Sequence, residues 1–319
     1  MNKDRTIVYM GTPDFAVEPL KKLIEQKFNV SAVVTVADKP SGRGLKMHAS
    51  PVKEFAVQHG IKVLQPLKLN DPDFLNELKK LNADLFIVVA FRKLPEAVWK
   101  LPPLGCFNLH ASLLPQYRGA APINHAVING ETMSGVTTFF LDEEIDTGKI
   151  ILRKEVPVGA DETAGELHDK LMVTGAQLVI DTVNAIFNGN YQLQEQPKPV
   201  ASGDQLRKAP KIFRNDCRIN WQQKALTIHN FIRGLSPYPG AYGIMMTSQG
   251  ESELKVLKST LTDLQNTGMP GDIRIENNKL FIGCQDHFIE IITVQPSGKK
   301  AMAVSDFLRG LRSEISIVF

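Results

Sequence analysis

Asn108 and His110 lie two residues apart at the end of a short apolar run, 106–110, and a basic, glycine-containing loop follows them. Side chains on a strand alternate between faces, so these two share one face while Leu109 points the other way, into a core. An amide and an imidazole on one face can donate hydrogen bonds and pass a proton. A hydrogen-bonded histidine that merely closes a strand is the plainer reading, and the spacing leaves both open. A third chemical group is Asp146. It shares an acidic turn with Asp142, Glu143 and Glu144, most of which reads as solvated surface. Thr147 and Gly148 follow it, and the chain then re-enters a strand. Asp146 is thereby expected at a strand edge, where a carboxylate facing His110 would fix the ring and favour its charged form. The sequence leaves open whether the two meet.

A second cluster follows an earlier strand. Residues 37–51 carry two glycines and Lys39, Arg43 and Lys46 against a single Asp38. Composition alone fits a flexible surface loop. The functional reading is a basic loop at the carboxyl edge of a sheet, ready for an anionic substrate.

The elements that must position these groups alternate along the first half of the chain. Runs apolar on both faces, at 6–11, 30–36, 61–66 and 83–91, alternate with helical stretches at 15–28, 50–60 and 72–82. That order predicts an open, mostly parallel, Rossmann-like α/β sheet with helices on both faces. Ligands of such sheets bind outside the carboxyl ends of the strands, which is where the run 106–110 stops. A strand, the acidic turn and another strand are expected over 135–158. Thr163 and Glu166 then have capping-box spacing ahead of a long helix. Its apolar stripe is Leu167, Leu171, Leu178, Val179, Val183, Ile186 and Phe187, and Gly189 is its stop.

From residue 190 the character changes. Residues 190–210 hold three prolines, several charges and little hydrophobic periodicity, and read as a linker. Beyond it, a helix at 226–235 and five short strand-like runs predict a small antiparallel, OB-like β-barrel. Trp221, Phe231, Tyr238 and Tyr242 read as its core and turn anchors. The expected division is 1–189, linker 190–210, and 211–319.

Bulk properties exclude several classes. A chain of 319 residues suits two domains, and 43% hydrophobic with 22% charged residues fits a folded globular protein rather than a disordered one. No apolar run approaches the ~18 residues that span a bilayer, and the N-terminal run is too short for a signal-peptide core, so a cytoplasmic protein is expected. Lys and Arg balance Asp and Glu, 24 against 24, over 1–210 but outnumber them 13 to 10 over 211–319. The whole net charge of +3 therefore lies in the last third, where it weakly favours a polyanionic partner. Cys106, Cys217 and Cys284 are too scattered for a disulfide framework or a metal site and read as small buried residues. The residues after the first strand, MGTPDFAV, lack the glycines of a dinucleotide fingerprint, and there is no phosphate-cradling loop and no HExxH. No metal is expected.

Residues 107–123, FNLHASLLPQYRGAAPI, join Asn-x-His to Ser-Leu-Leu-Pro and Arg-Gly-Ala. This run resembles the signature of the 10-formyltetrahydrofolate-dependent formyltransferases, and Asp146-Thr147-Gly148 stands where that family places its catalytic Asp. The resemblance implies 10-formyltetrahydrofolate as donor. It puts Asn108, His110 and Asp146 at the formyl group in transfer, and Ser112, Leu113, Leu114 and Pro115 in the folate pocket. MGTPDFAV, the DKPSGRG around Arg43, and residues 209–221 and 229–242 resemble the branch of the family whose acceptor is initiator Met-tRNA. On that branch Lys39, Arg43 and Lys46 would contact the tRNA, 211–319 would form its binding domain, and the protein would be a cytoplasmic monomer. The resemblance covers about 1–315. It departs at 88–99, near the pterin-binding edge, where relatives often carry a glycine-containing turn. An amino sugar nucleotide as acceptor, or hydrolysis of the donor, are the alternatives that share the same core.

Overall fold

The runs that are apolar on both faces become the inner strands of one sheet. In chain order the elements are Thr6–Gly11 (β1), Val17–Glu25 (α1), Asn29–Val34 (β2), Lys39–Ser41 (β3), Lys46–His48 (β4), Pro51–Gln58 (α2), Lys62–Leu64 (β5) and Pro72–Lys80 (α3). They continue with Leu85–Val89 (β6), Glu96–Trp99 (α4), Cys106–His110 (β7), Arg118–Gly119 (β8), Pro122–Ile128 (α5), Met133–Phe140 (β9), Ile150–Pro157 (β10) and Ala164–Asn188 (α6). The computed structural model describes residues 5–41, 46–197, 206–247, 250–311 and 315–318. The chain folds into two compact units, each drawn from several stretches. The first takes 1–119, 135–156 and 168–208; the second takes 120–134, 157–167 and 209–319.

In the first unit the strand order is β10-β9-β7-β6-β1-β2-β5. Strands β5, β2, β1, β6 and β7 run parallel, and β9 joins β7 antiparallel. The order turns back between β1 and β6, as in doubly wound sheets, so a ligand crevice is expected at that carboxyl edge. Helices cover both faces. Val8, Met10, Phe86, Val88 and Cys106 pack with Phe74 and Leu78 of α3. On the other face α6 crosses β7 so closely that a Cβ at Gly175 would lie 2.9 Å from Leu109 Cδ2. Leu109 thus points into the core, and Asn108 and His110 share the face of Cys106, as the period of two requires.

Helix starts follow their sequence signals. Ser50 Oγ caps α2 by accepting from Lys53 N at 3.1 Å, and Asp71 caps α3 through Asp73 N at 2.9 Å. The Thr163–Glu166 capping box forms, with Glu166 N donating to Thr163 Oγ1 at 3.2 Å and Thr163 N to Glu166 Oε2 at 2.8 Å. All seven stripe residues of α6 are buried, and Gly189 ends the helix at φ +64°. By length and composition α6 is apolar enough to cross a membrane, but its stripe lies inside the fold.

The second unit contains Ala225–Gly234 (α7) and, after the short Lys208–Ala209 (β11), the strands Ala241–Thr247 (β12), Gly250–Gln265 (β13), Ile273–Glu276 (β14), Lys279–Gly283 (β15), His287–Pro296 (β16), Met302–Ala303 (β17) and Ser316–Val318 (β18), with Val304–Arg309 (α8) before the last. These strands form one curled antiparallel sheet, ordered β14-β15-β16-β13-β12-β18 with β17 on β16. Register shifts between β13 and β16 bend the long β13 and curl the sheet into a half-barrel. Trp221 and Tyr242 are core residues there, and Phe231 is partly buried against that core. Tyr238 is not a core anchor: it is 82% exposed, in the turn between α7 and β12.

Candidate active site

Strand β7 ends at His110, whose neighbours across the sheet are Val89 by way of Leu109 on one side and Thr137 of β9 on the other. The His110 ring is buried, and its Nε2 lies 2.9 Å from the Tyr117 carbonyl oxygen. A carbonyl only accepts, so Nε2 carries a hydrogen and the lone pair of the neutral ring sits on Nδ1. Nδ1 faces Asp146 Oδ2 at 3.9 Å. That separation is too long for a hydrogen bond but close enough for an ion pair once the ring is protonated. Asn108 is half-buried, and its carboxamide makes no hydrogen bond to a described residue. The fold therefore brings the three groups read from the sequence to one strand end, with an unengaged amide on the same face as the imidazole.

Asp146 is placed by its backbone. It adopts φ +58°, a left-handed turn that Asp tolerates. Two residues on, Gly148 has no alternative: a Cβ there would lie 1.7 Å from the Phe140 carbonyl oxygen. Thr147 Oγ1 donates to Asp142 Oδ1 at 2.7 Å and closes the acidic turn. The Asp146 carboxylate accepts from Gly119 N at 2.9 Å. Gln196 donates from Nε2 to the carbonyls of Asp146 and Gly148, at 3.0 and 2.8 Å. Sequence reasoning missed Gln196, Arg118 and Tyr117. Arg118 stands in the signature run 107–123, which was the only sequence signal for it, whereas Gln196 falls in the stretch read as linker.

The Ser-Leu-Leu-Pro stretch divides by burial. Ser112 is buried and its hydroxyl donates to the Gln116 carbonyl at 2.7 Å. Thr137 Oγ1 ties the stretch to β9, donating to Ser112 O at 2.7 Å and accepting from Leu114 N at 3.2 Å. Leu114 packs with Phe139 and Ile150. Leu113 and Pro115 keep partly exposed surface. In the segment 88–99, Ala90 takes φ +48°, a left-handed turn of the kind that glycine favours. Arg92 steadies that segment by donating to the carbonyls of Leu67, at 3.0 Å, and Pro66.

The basic loop is partly a hairpin: β3 and β4 pair antiparallel, with Lys39 opposite His48 and Ser41 opposite Lys46. Lys39 is exposed, and Arg43 lies outside the described residues. Asp38, the loop's one acid, is held below its ordinary range by Lys53, whose Nζ is 2.6 Å away, and by Gln65. Cys106 is buried and burial pushes its thiol far up, which removes it as a nucleophile beside the site. Among the described residues no three His, Cys, Asp or Glu side chains group as metal ligands.

A doubly wound sheet with amide, imidazole and carboxylate at one strand end, followed by a curled antiparallel sheet, is the architecture of one class of group-transfer enzyme. The chain belongs to the formyl transferase family: it matches the family over residues 5–183 and the family's C-terminal domain over 211–312. It is 49% identical over 310 residues to the methionyl-tRNA formyltransferase of Bacteroides fragilis, covering 97% of this chain and 95% of that protein. It is 52% identical over 314 residues to the methionyl-tRNA formyltransferase of Phocaeicola vulgatus, covering 98% and 97%. Among solved structures, it shares its fold with an N-formyltransferase from Helicobacter canadensis in complex with folinic acid and dTDP-3-aminofucose. That likeness has a TM-score of 0.64 at 24% identity, over 92% of this chain and 99% of that one. HypX from Aquifex aeolicus in complex with tetrahydrofolic acid has the same fold at TM-score 0.65 and 18% identity, over 97% of this chain and 48% of that one.

Proposed function

We propose that this protein transfers the formyl group of 10-formyltetrahydrofolate to the free α-amine of methionine on initiator Met-tRNA. The observation that carries this reading is identity of about half, over nearly the whole of both chains, to methionyl-tRNA formyltransferases. The free Asn108 amide beside His110 supplies groups the transfer needs.

Bound 10-formyltetrahydrofolate supplies an activated formyl carbon, so the protein's task is positioning, proton transfer and stabilisation of developing negative charge. Leu113 and Pro115 offer side chains to the folate, while Ser112 and Leu114 hold the stretch in shape from inside. Asn108 donates from its carboxamide to the formyl oxygen as charge gathers there. His110 takes the amine's proton on Nδ1, the nitrogen that carries the lone pair, and passes it to the departing nitrogen. Asp146 faces that nitrogen and stabilises the charged ring. Residues 1–189 carry this chemistry. Lys39, Arg43 and Lys46, with the basic 211–319, hold the tRNA as a monomeric, cytoplasmic enzyme.

The test is a single assay with 10-formyltetrahydrofolate and initiator tRNA, charged with methionine or uncharged. Tetrahydrofolate release coupled to N-formylmethionyl-tRNA, and absent with uncharged tRNA, is the expected outcome. Release without any tRNA would reassign the protein to hydrolysis or to another acceptor.

A further inference from the structure

We propose that Gln196 is a positioning residue of the transfer site: its carboxamide locks the turn that carries Asp146 and so sets that carboxylate against His110. The inference rests on the roles assigned above to Asp146 and His110.

Gln196 is buried, and every hydrogen-bonding position of its amide is used. Nε2 donates to the Asp146 and Gly148 carbonyls, and Oε1 accepts from Arg118 Nε at 3.1 Å and Nη2 at 2.6 Å. A primary amide has two donors and two acceptor positions, so this is full satisfaction. Both carbonyls belong to the turn that must hold a left-handed Asp, a conformation that persists only when its surroundings impose it. The bonds also close a ring. Arg118 grips Gln196, Gln196 grips the Asp146 main chain, and Gly119, next to Arg118, grips the Asp146 carboxylate at 2.9 Å. Asp146 is therefore clamped by main chain and side chain together.

Gln196 is itself fixed by a neighbouring bridge, in which Gln194 and Ile150 exchange backbone hydrogen bonds of 2.8 and 2.9 Å. The far end of the same stretch does the matching job for the histidine. Arg207 O accepts from Tyr117 N at 2.7 Å, and Tyr117 O is the acceptor that orients the His110 ring. No other side chain substitutes for Gln196. A glutamate at position 196 would set negative oxygens against two carbonyls, and an asparagine would fall short of them.

A buried glutamine that only stabilises the fold would satisfy the same distances, so the test must separate positioning from structure. Turnover is measured for the wild type, Gln196→Met, Asp146→Asn and the double variant. Gln196→Met is expected to lower kcat about ten- to a hundredfold, with both KM values within about twofold. In the Asp146→Asn background the same substitution is expected to change kcat less than about twofold, because its effect runs through that carboxylate. Unchanged kcat, or an equal loss in both backgrounds, overturns the proposal. Should Gln196→Met fail to fold, Gln196→Glu takes its place: it keeps an acceptor for Arg118 and turns the donor to the Asp146 and Gly148 carbonyls into an opposing oxygen. A crystal structure of the variant reads the same point without activity: an Asp146 carboxylate still 3.9 Å from His110 Nδ1 overturns the proposal, and a displaced one supports it. If the wild type releases tetrahydrofolate without formylating Met-tRNA, the acceptor assignment fails, and the cycle is then read on that release.

Discussion

The Tyr117 carbonyl decides the His110 tautomer, because it fixes a hydrogen on Nε2 and leaves Nδ1 toward Asp146. Asn108→Ala and His110→Ala are each expected to lose about 10²–10³ in kcat at saturating substrates, the usual cost of an oxyanion donor or more. Unchanged circular dichroism would show that the fold survives, and near-wild-type turnover in either variant would sink the assignment. A second histidine bears on stability instead. His229 is buried in the second unit, with Nδ1 3.1 Å from Ser259 Oγ and Nε2 3.3 Å from Asp161 Oδ1. Burial lowers its pKa, against a smaller opposing pull from Asp161. In the unfolded chain it takes a proton near pH 6.5. The unfolded state therefore binds more protons between that pH and the lower folded value, and stability falls as pH drops through this window. Urea unfolding at pH 7.5 and 5.5 should show this loss, and His229→Gln should reduce the difference. At this scale Asn108 and His110 were legible because a period of two dictates a shared face. Gln196 was not, because its partners, two backbone carbonyls and the Arg118 side chain, lie far away along the chain, and no local pattern records them.

At the scale of elements, the turn after β9 and the start of α6 make separate demands. Gly148→Ala forces a Cβ into the Phe140 carbonyl, and should cost about 3 kcal/mol, the upper end of ordinary overpacking. Denaturant unfolding checks this, and a loss under about 1 kcal/mol would mean the turn relaxes freely. Thr163→Ala removes one arm of the capping box and should cost about 1 kcal/mol by the same measurement. Inner strands and long helices were legible because burial on two faces, or on one stripe, writes itself into hydrophobic periodicity. The hairpin of β3 and β4 was not, since Lys39–Ser41 and Lys46–His48 are short, polar and without alternation. Tyr238 misled for a related reason: an aromatic ring signals burial only when an element carries it inward, and the turn at 238 does not.

For the whole molecule, the distribution of charge is the property that bears on a polyanionic partner. The excess of Lys and Arg lies in 211–319, and the sequence 37–51 carries Lys39, Arg43 and Lys46 against a single Asp38. Arg43→Ala should raise the KM for Met-tRNA well above its effect on the folate KM. It should also flatten the dependence of log K on log salt by about 0.9 for a lost duplex phosphate contact. Equal loss toward both substrates would count against a tRNA role for the loop.

The two units are threaded rather than strung. The chain passes between them after residues 119, 134, 156, 167 and 208. A fragment ending at 189 keeps 120–134 and 157–167 but loses what they bond to. Asn124 no longer has the Gly234 carbonyl, and the carbonyls of Gly159 and Glu162 lose the Arg233 guanidinium. No single cut of the chain releases both units whole: one after 119 divides the first, one after 208 divides the second, and most cuts between them divide both.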